Sequence, residues 1–172
     1  MTKFYAYMVG LCAALSMAGC TKEESDQTAP KPNLTAKEAM LTAKNWRITA
    51  LTISAETTIE GIPFMSSSDG YARLAECRKD SFMKFNSNKT GISDEGTTKC
   101  SATDPQTQSF EWSLNADETE LSVSGVFNGA TQAQKIELLQ LTSTTMQVRT
   151  TSVTTQYGIT SVAKATTTYT AF

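Results

Sequence analysis

Histidine is absent from all 172 residues. Without an imidazole to carry the proton, the Ser-His-Asp and Cys-His schemes of nucleophilic catalysis are closed to this chain. An excess of basic charge is missing too: 15 Lys and Arg against 17 Asp and Glu leave a net charge of −2, which argues against a nucleic-acid partner. There is no glycine-rich loop of the kind that cradles phosphate and no cluster with metal-ligand spacing, so neither a cofactor nor a metal is expected. Long apolar runs are also lacking. The one at the start, Phe4 to Leu15, has 12 residues where a membrane-spanning helix needs about 20. Helical periodicity is scarce as well, and past the first few residues of the folded part it gives no convincing helix.

What is present begins with an export signal. Met1-Thr2-Lys3, the apolar run, and Ser16-Met17-Ala18-Gly19-Cys20 form a charged n-region, an h-region and a small-residue cleavage site, so residues 1–19 read as a signal peptide. Met17-Ala18-Gly19-Cys20 resembles the bacterial lipobox, with Met17 where leucine is usual. The resemblance implies that Cys20 becomes the lipid-bearing first residue, with the membrane as its partner. Thr21-Lys22-Glu23-Glu24-Ser25-Asp26 resembles the lysine-plus-acids signal that sends Bacteroidota lipoproteins to the outer face of the outer membrane. A solvated charged spacer reads the same residues equally well, so a surface-exposed and a periplasm-facing location both stay open. Residues 21–33 hold nothing apolar larger than Ala29 and include Pro30 and Pro32, so 20–33 reads as a lipidated disordered tether. The folded domain is placed at 34–172, a single domain that can bury a sizeable core. Loss of Lys3 with the signal takes the net charge from −2 to −3.

Of four cysteines, Cys12 leaves with the signal and Cys20 takes the lipid, so Cys77 and Cys100 remain. An oxidising compartment favours a bridge between them. Positions facing each other across an antiparallel hairpin share a constant sum; for a two-residue turn at Asn88-Lys89 it is 177, which Cys77 and Cys100 meet. A structural staple is therefore expected, stabilising the fold by roughly 3 kcal/mol on the chain-entropy model. The rival, a redox pair, usually has C-x-x-C spacing, and two cysteines without histidine fall short of the four ligands of a zinc site.

Thr35 and Glu38 form a capping box, predicting a short helix from Ala36 to about Ala43. The chain has 28 threonines, and beyond the helix these and repeated alternation of apolar and polar residues predict strands. Eight are read, at 46–55, 81–86, 89–95, 109–114, 120–124, 134–141, 144–155 and 160–171, with a bulge near Leu51, where both faces turn apolar. Their connections are short except 56–76, which contains Gly61, Pro63, Ser66-Ser67-Ser68 and Gly70 beside Ile59, Ile62, Phe64, Met65 and Tyr71. It reads either as a lid over an opening or as an excursion that covers the barrel's edge.

One short helix followed by up-and-down strands, the first opened by a tryptophan, resembles the lipocalin or calycin plan, and in particular the lipocalin-like lipoproteins of the Bacteroidota. The residues that carry the resemblance are Leu41-Thr42-Ala43-Lys44-Asn45-Trp46, Cys77-Arg78-Lys79-Asp80 leading into SFMKFNSNKTG, Lys99-Cys100 and Trp112. Lys44 stands where the G-x-W signature has glycine, and Asn88-Lys89 where Asp-Gly is usual. The resemblance implies an all-β, eight-stranded antiparallel barrel.

A barrel of eight strands is either filled by side chains or holds one small ligand. Trp46, Met83, Phe85, Trp112 and Tyr169 are the candidates to line its interior; core packing accounts for the same residues. The leading expectation is a lipoprotein that binds a small apolar molecule. The alternative is a non-catalytic accessory protein of the cell surface with a solid core, contacting glycans or proteins. Catalysis ranks third and no enzyme is expected. Asp80, Asp94, Glu95 and Glu111 could in principle pair as acid and base in glycoside chemistry, but surface charges at strand ends or on an outward face are the stronger reading of each. Asn88-Lys89-Thr90 fits the N-glycosylation pattern, to which a bacterial lipoprotein gives little weight.

Overall fold

The Thr35 hydroxyl accepts from the Glu38 backbone N–H, and the Glu38 carboxylate accepts from the Thr35 N–H. This reciprocal pair satisfies donors that a helix start leaves open, and helix α1 follows at Ala36–Thr42. The computed structural model describes residues 33–127 and 130–172; the signal, Cys20 and all of the tether but Asn33 lie outside the described residues. After α1 come β1 (Asn45–Ile59), β2 (Ile62–Asp69), a 3-10 turn (Tyr71–Arg73), a short helix α2 (Glu76–Lys79), β3 (Phe82–Phe85), β4 (Thr90–Asp94), β5 (Thr107–Leu114), β6 (Glu120–Phe127), β7 (Ala130–Leu141), β8 (Thr145–Gln156) and β9 (Ile159–Ala171).

From β3 to β9 each strand pairs antiparallel with the next. β9 then returns to β1, whose first residues pair with β3. The result is the closed eight-stranded antiparallel barrel. β2 is a ninth strand outside that ring. It joins β1 from Thr52 onward, on the edge that β3 occupies lower down.

Two sequence expectations change, and the bulge expected near Leu51 is located. Residues 56–76 are not one long loop: β1 continues to Ile59, turns at Glu60-Gly61 with φ of 50° and 81°, and returns as β2. Gly61 supplies the turn, and Pro63 is tolerated because β2 is an edge strand. The β3–β4 turn is not centred on Asn88-Lys89. Asn86 N–H donates to Thr90 O at 2.7 Å, which encloses three residues, and the positive φ of 68° falls on Lys89. The ladder is therefore one residue out of step with the one that was to align the cysteines. Cys77 and Cys100 are nonetheless bonded, with Cα atoms 5.1 Å apart, from α2 to the loop after β4. Finally, the bulge lies between Ile48 and Ala50. It moves the inward positions of β1 from Trp46 and Ile48 to Leu51 and Ile53, which is why both faces looked apolar.

The core fills one end of the barrel. Leu41, Trp46, Phe85, Phe110, Trp112, Leu121, Leu138, Met146 and Val148 are buried there. Trp46 Nε1 donates to Leu41 O at 2.9 Å, and Trp112 Nε1 donates to Thr90 O at 3.0 Å, so neither indole N–H is left unpaired. Phe85 meets Phe110 and Trp112 edge-on, with ring centroids 5.4 and 5.5 Å apart. Position 91 must be glycine, since a Cβ there would lie 2.3 Å from the Phe110 ring. α1 seals this end. Glu38 pairs with Lys89, the Thr35 hydroxyl donates to the Glu118 carboxylate, and Lys37 Nζ donates to Glu118 O at 2.7 Å. Two strand turns are thereby tied to one helix.

The opposite rim is uneven. β1, β8 and β9 have 15, 12 and 13 residues, whereas β3 and β4 have 4 and 5. The ladder between β7 and β8 ends at Glu137 and Arg149, so 130–136 and 150–156 are not paired with each other. Above that rung the strands β2, β1, β9 and β8 rise as a wall of their own.

A candidate apolar binding cavity

Inward-facing side chains are set by the registers. Tyr169 of β9 stands opposite Met146 of β8 and Ile48 of β1. Leu121 of β6 stands opposite Ile136 of β7, and Val123 opposite Gln134. Above the packed core these side chains enclose a cavity of about 300 Å³, lined by Met83, Phe85, Leu121, Val123, Gln132, Gln134, Ile136, Met146, Val148 and Tyr169. Its floor is aromatic and sulfur-bearing, with Phe85 and Met146 fully buried. Its walls are aliphatic. Toward the rim come Gln134, which is exposed, and Gln132.

Three of the five aromatic or thioether residues singled out in the sequence, Met83, Phe85 and Tyr169, come together on this cavity. Trp46 and Trp112 do not line it. Trp46 is sealed beneath α1, and Trp112 packs into the core on Phe85, with the Lys89 ammonium 4.5 Å over its ring. Sequence reasoning passed over the wall. Leu121, Val123, Ile136, Met146 and Val148 are ordinary strand aliphatics, and the signal that could have found them is their shared parity along three consecutive strands. Large rings drew attention because they dominate cores.

Every described lining side chain is uncharged. The phenol of Tyr169 is pushed up to about 12 by burial alone, and its hydroxyl makes no hydrogen bond among the described residues. The site can therefore exclude water from an apolar guest and offer it one hydroxyl near the floor.

The four carboxylates considered for catalysis lie elsewhere. Asp80 Oδ2 accepts from the Thr97 hydroxyl at 2.6 Å and from the backbone N–H groups of Thr97 and Thr98, both at 2.9 Å. The Thr97 hydroxyl holds Asp80 below its ordinary 3.8; burial opposes it, and the backbone N–H groups of Thr98 and Thr97 lower it further. Asp94 Oδ1 accepts from Gly96 N–H and Gln106 Nε2, each at 2.8 Å. Glu95 faces Arg78 at 3.7 Å and accepts from Cys100 N–H at 3.4 Å. Glu111 lies between Thr90 and Ser124 on adjacent strands, on the face opposite to Trp112. The first three anchor the 95–106 loop beside the disulfide.

No curated protein matches this sequence. One solved structure resembling it is a polyisoprenoid-binding domain from Saccharophagus degradans implicated in plant cell wall breakdown, at 6% identity and a TM-score of 0.34, covering 74% of this chain and 98% of that one. Residues 42–148, well over half of the 172, match the family model described as a lipocalin-like domain, and the chain belongs to that family.

Proposed function

We propose that this chain is an exported lipoprotein of the outer membrane, of the Bacteroidota kind, anchored through Cys20, whose barrel holds one small apolar molecule and catalyses no reaction. The observation that carries the binding reading is the cavity of about 300 Å³ above a solid core, walled by Leu121, Val123, Ile136, Met146 and Val148. That volume is at the lower end of the roughly 300–1,000 Å³ of small-molecule sites, and an apolar lining with few polar groups is their usual chemistry. Each Å² of apolar surface that a guest removes from water contributes about 25 cal/mol. A guest that fills this space therefore has a driving force without any charge. In support of a non-catalytic role, Asp80, Asp94 and Glu95 are engaged in holding a loop.

The anchor rests on the sequence of residues 16–20. Native mass spectrometry of detergent-free protein, joined to displacement of Nile red by an apolar panel, tests the binding. A retained or titrating guest is expected, and a panel that neither displaces the dye nor adds mass removes the reading. Labelled palmitate incorporated by the full chain and abolished by Cys20→Ser tests the anchor, with recovery in the outer-membrane fraction as the second arm.

A further inference from the structure

The cavity has a polarity gradient that runs against the usual expectation of a wet mouth and a dry floor. Tyr169 pairs with Met146, which is fully buried, so the phenol belongs to the lowest level of the space. Val148 and Ile136 follow toward the rim, then Val123 with the exposed Gln134 on the same rung, and Gln132 beyond. Between the two polar levels the wall is hydrocarbon. The Tyr169 hydroxyl lines the cavity and makes no hydrogen bond among the described residues, so it is open to a guest that brings a hydrogen-bonding oxygen. The lining carries no Lys or Arg among the described residues. A carboxylate seated there would lose its hydration with no cation to replace it.

We propose that the cavity selects neutral amphiphiles: molecules with one hydroxyl, carbonyl or amide oxygen hydrogen-bonded to Tyr169 at the floor, and an apolar chain or ring extending toward the rim. This rests on the reading that the barrel binds an apolar guest. It adds the class of guest, the orientation and the residue that sets both. It also separates this site from one built for fatty-acid anions, which would need a cation at the floor.

The test uses the exported chain with three ten-carbon probes, decane, 1-decanol and decanoate, each displacing Nile red at pH 8, where decanoate is ionised. In the wild type, decanoate binds at least about a hundredfold more weakly than 1-decanol, because its charge must be desolvated. Tyr169→Phe keeps the ring and removes the hydroxyl. It shifts the 1-decanol-to-decane affinity ratio about tenfold in favour of decane, the worth of one hydrogen bond in an enclosed site. Decane binding by the variant reports an intact barrel, and if the variant fails to fold, the wild-type comparison of 1-decanol with decanoate decides alone. Decanoate binding as tightly as 1-decanol overturns the proposal, as does an unchanged ratio in Tyr169→Phe. If none of the three displaces the dye, the binding reading itself falls and takes this inference with it.

Discussion

Strand β1 places Trp46 at 0% exposure near one end of the barrel and leaves Ile53 and Ile59 at 40% nearer the other. The strands, the alternation and the residue classes are the same at both ends; what differs is what lies opposite. At the sealed end the wall is faced by β3, β4, β5 and α1, so large side chains meet partners. At the rim β3 and β4 are too short to follow. Alternation tells a strand which face is inward, but only the length of the opposite wall tells whether inward means buried.

Substitutions at the two ends should therefore separate widely. Trp46→Ala removes the residue that fills the space under α1 and leaves Leu41 O without its donor. A loss of about 3–5 kcal/mol is expected from the urea midpoint and slope. The clamp between α2 and the loop after β4 comes next. Replacing both Cys77 and Cys100 by serine should cost about 2–4 kcal/mol, read the same way against reduced and oxidised wild type. Gly91→Ala should cost about 1–3 kcal/mol, because its methyl enters the space of the Phe110 ring and the β3–β4 ladder must shift. Phe110→Leu combined with it should recover part of that loss; two additive penalties would mean that the clash lies elsewhere.

Much of the sealed end was legible in the sequence. Thr35 and Glu38 announced the capped helix, alternation in SFEWSL announced β5, and Trp46 stands where the first strand begins. The rim was less legible for a physical reason. Gly61, Pro63 and Ser66-Ser67-Ser68 are loop formers by propensity, yet β2 forms because β1 offers a long unpaired edge, and pairing outweighs local preference. The cysteines were paired from a register the chain does not adopt; they meet because α2 turns back over the 95–106 loop. Of the cavity, three residues could be named from size, and the rest follow only once it is known that β6, β7 and β8 are neighbours.

Asp80 gives a smaller effect, confined to low pH. Its folded pKa lies below the ordinary 3.8, so the stabilisation it contributes is present above that value. That stabilisation is lost as pH falls through the folded pKa. Asp80→Asn should therefore flatten the decline in thermal midpoint below about pH 4 while moving the midpoint at pH 7 downward. An identical acid limb in both proteins would show that the Thr97 and Thr98 contacts do not hold the carboxylate.

The smallest effect belongs to the rim, where it bears most directly on the contrast between the two ends. Val153 points to the outer face of β8 on a stretch, Thr150–Gln156, that has no ladder partner on its β7 side and contains no charge. Long uncharged edges are prone to pair with other chains, whereas the edge strand β2 carries Pro63 and Asp69, two common guards against it. Val153→Lys removes no packed contact and adds a guard of the same kind. Its unfolding free energy should stay within about 0.5 kcal/mol of wild type, and sedimentation velocity at high concentration should show less association, never more. A loss above about 1 kcal/mol would mean that the outer face of β8 at the rim is packed after all.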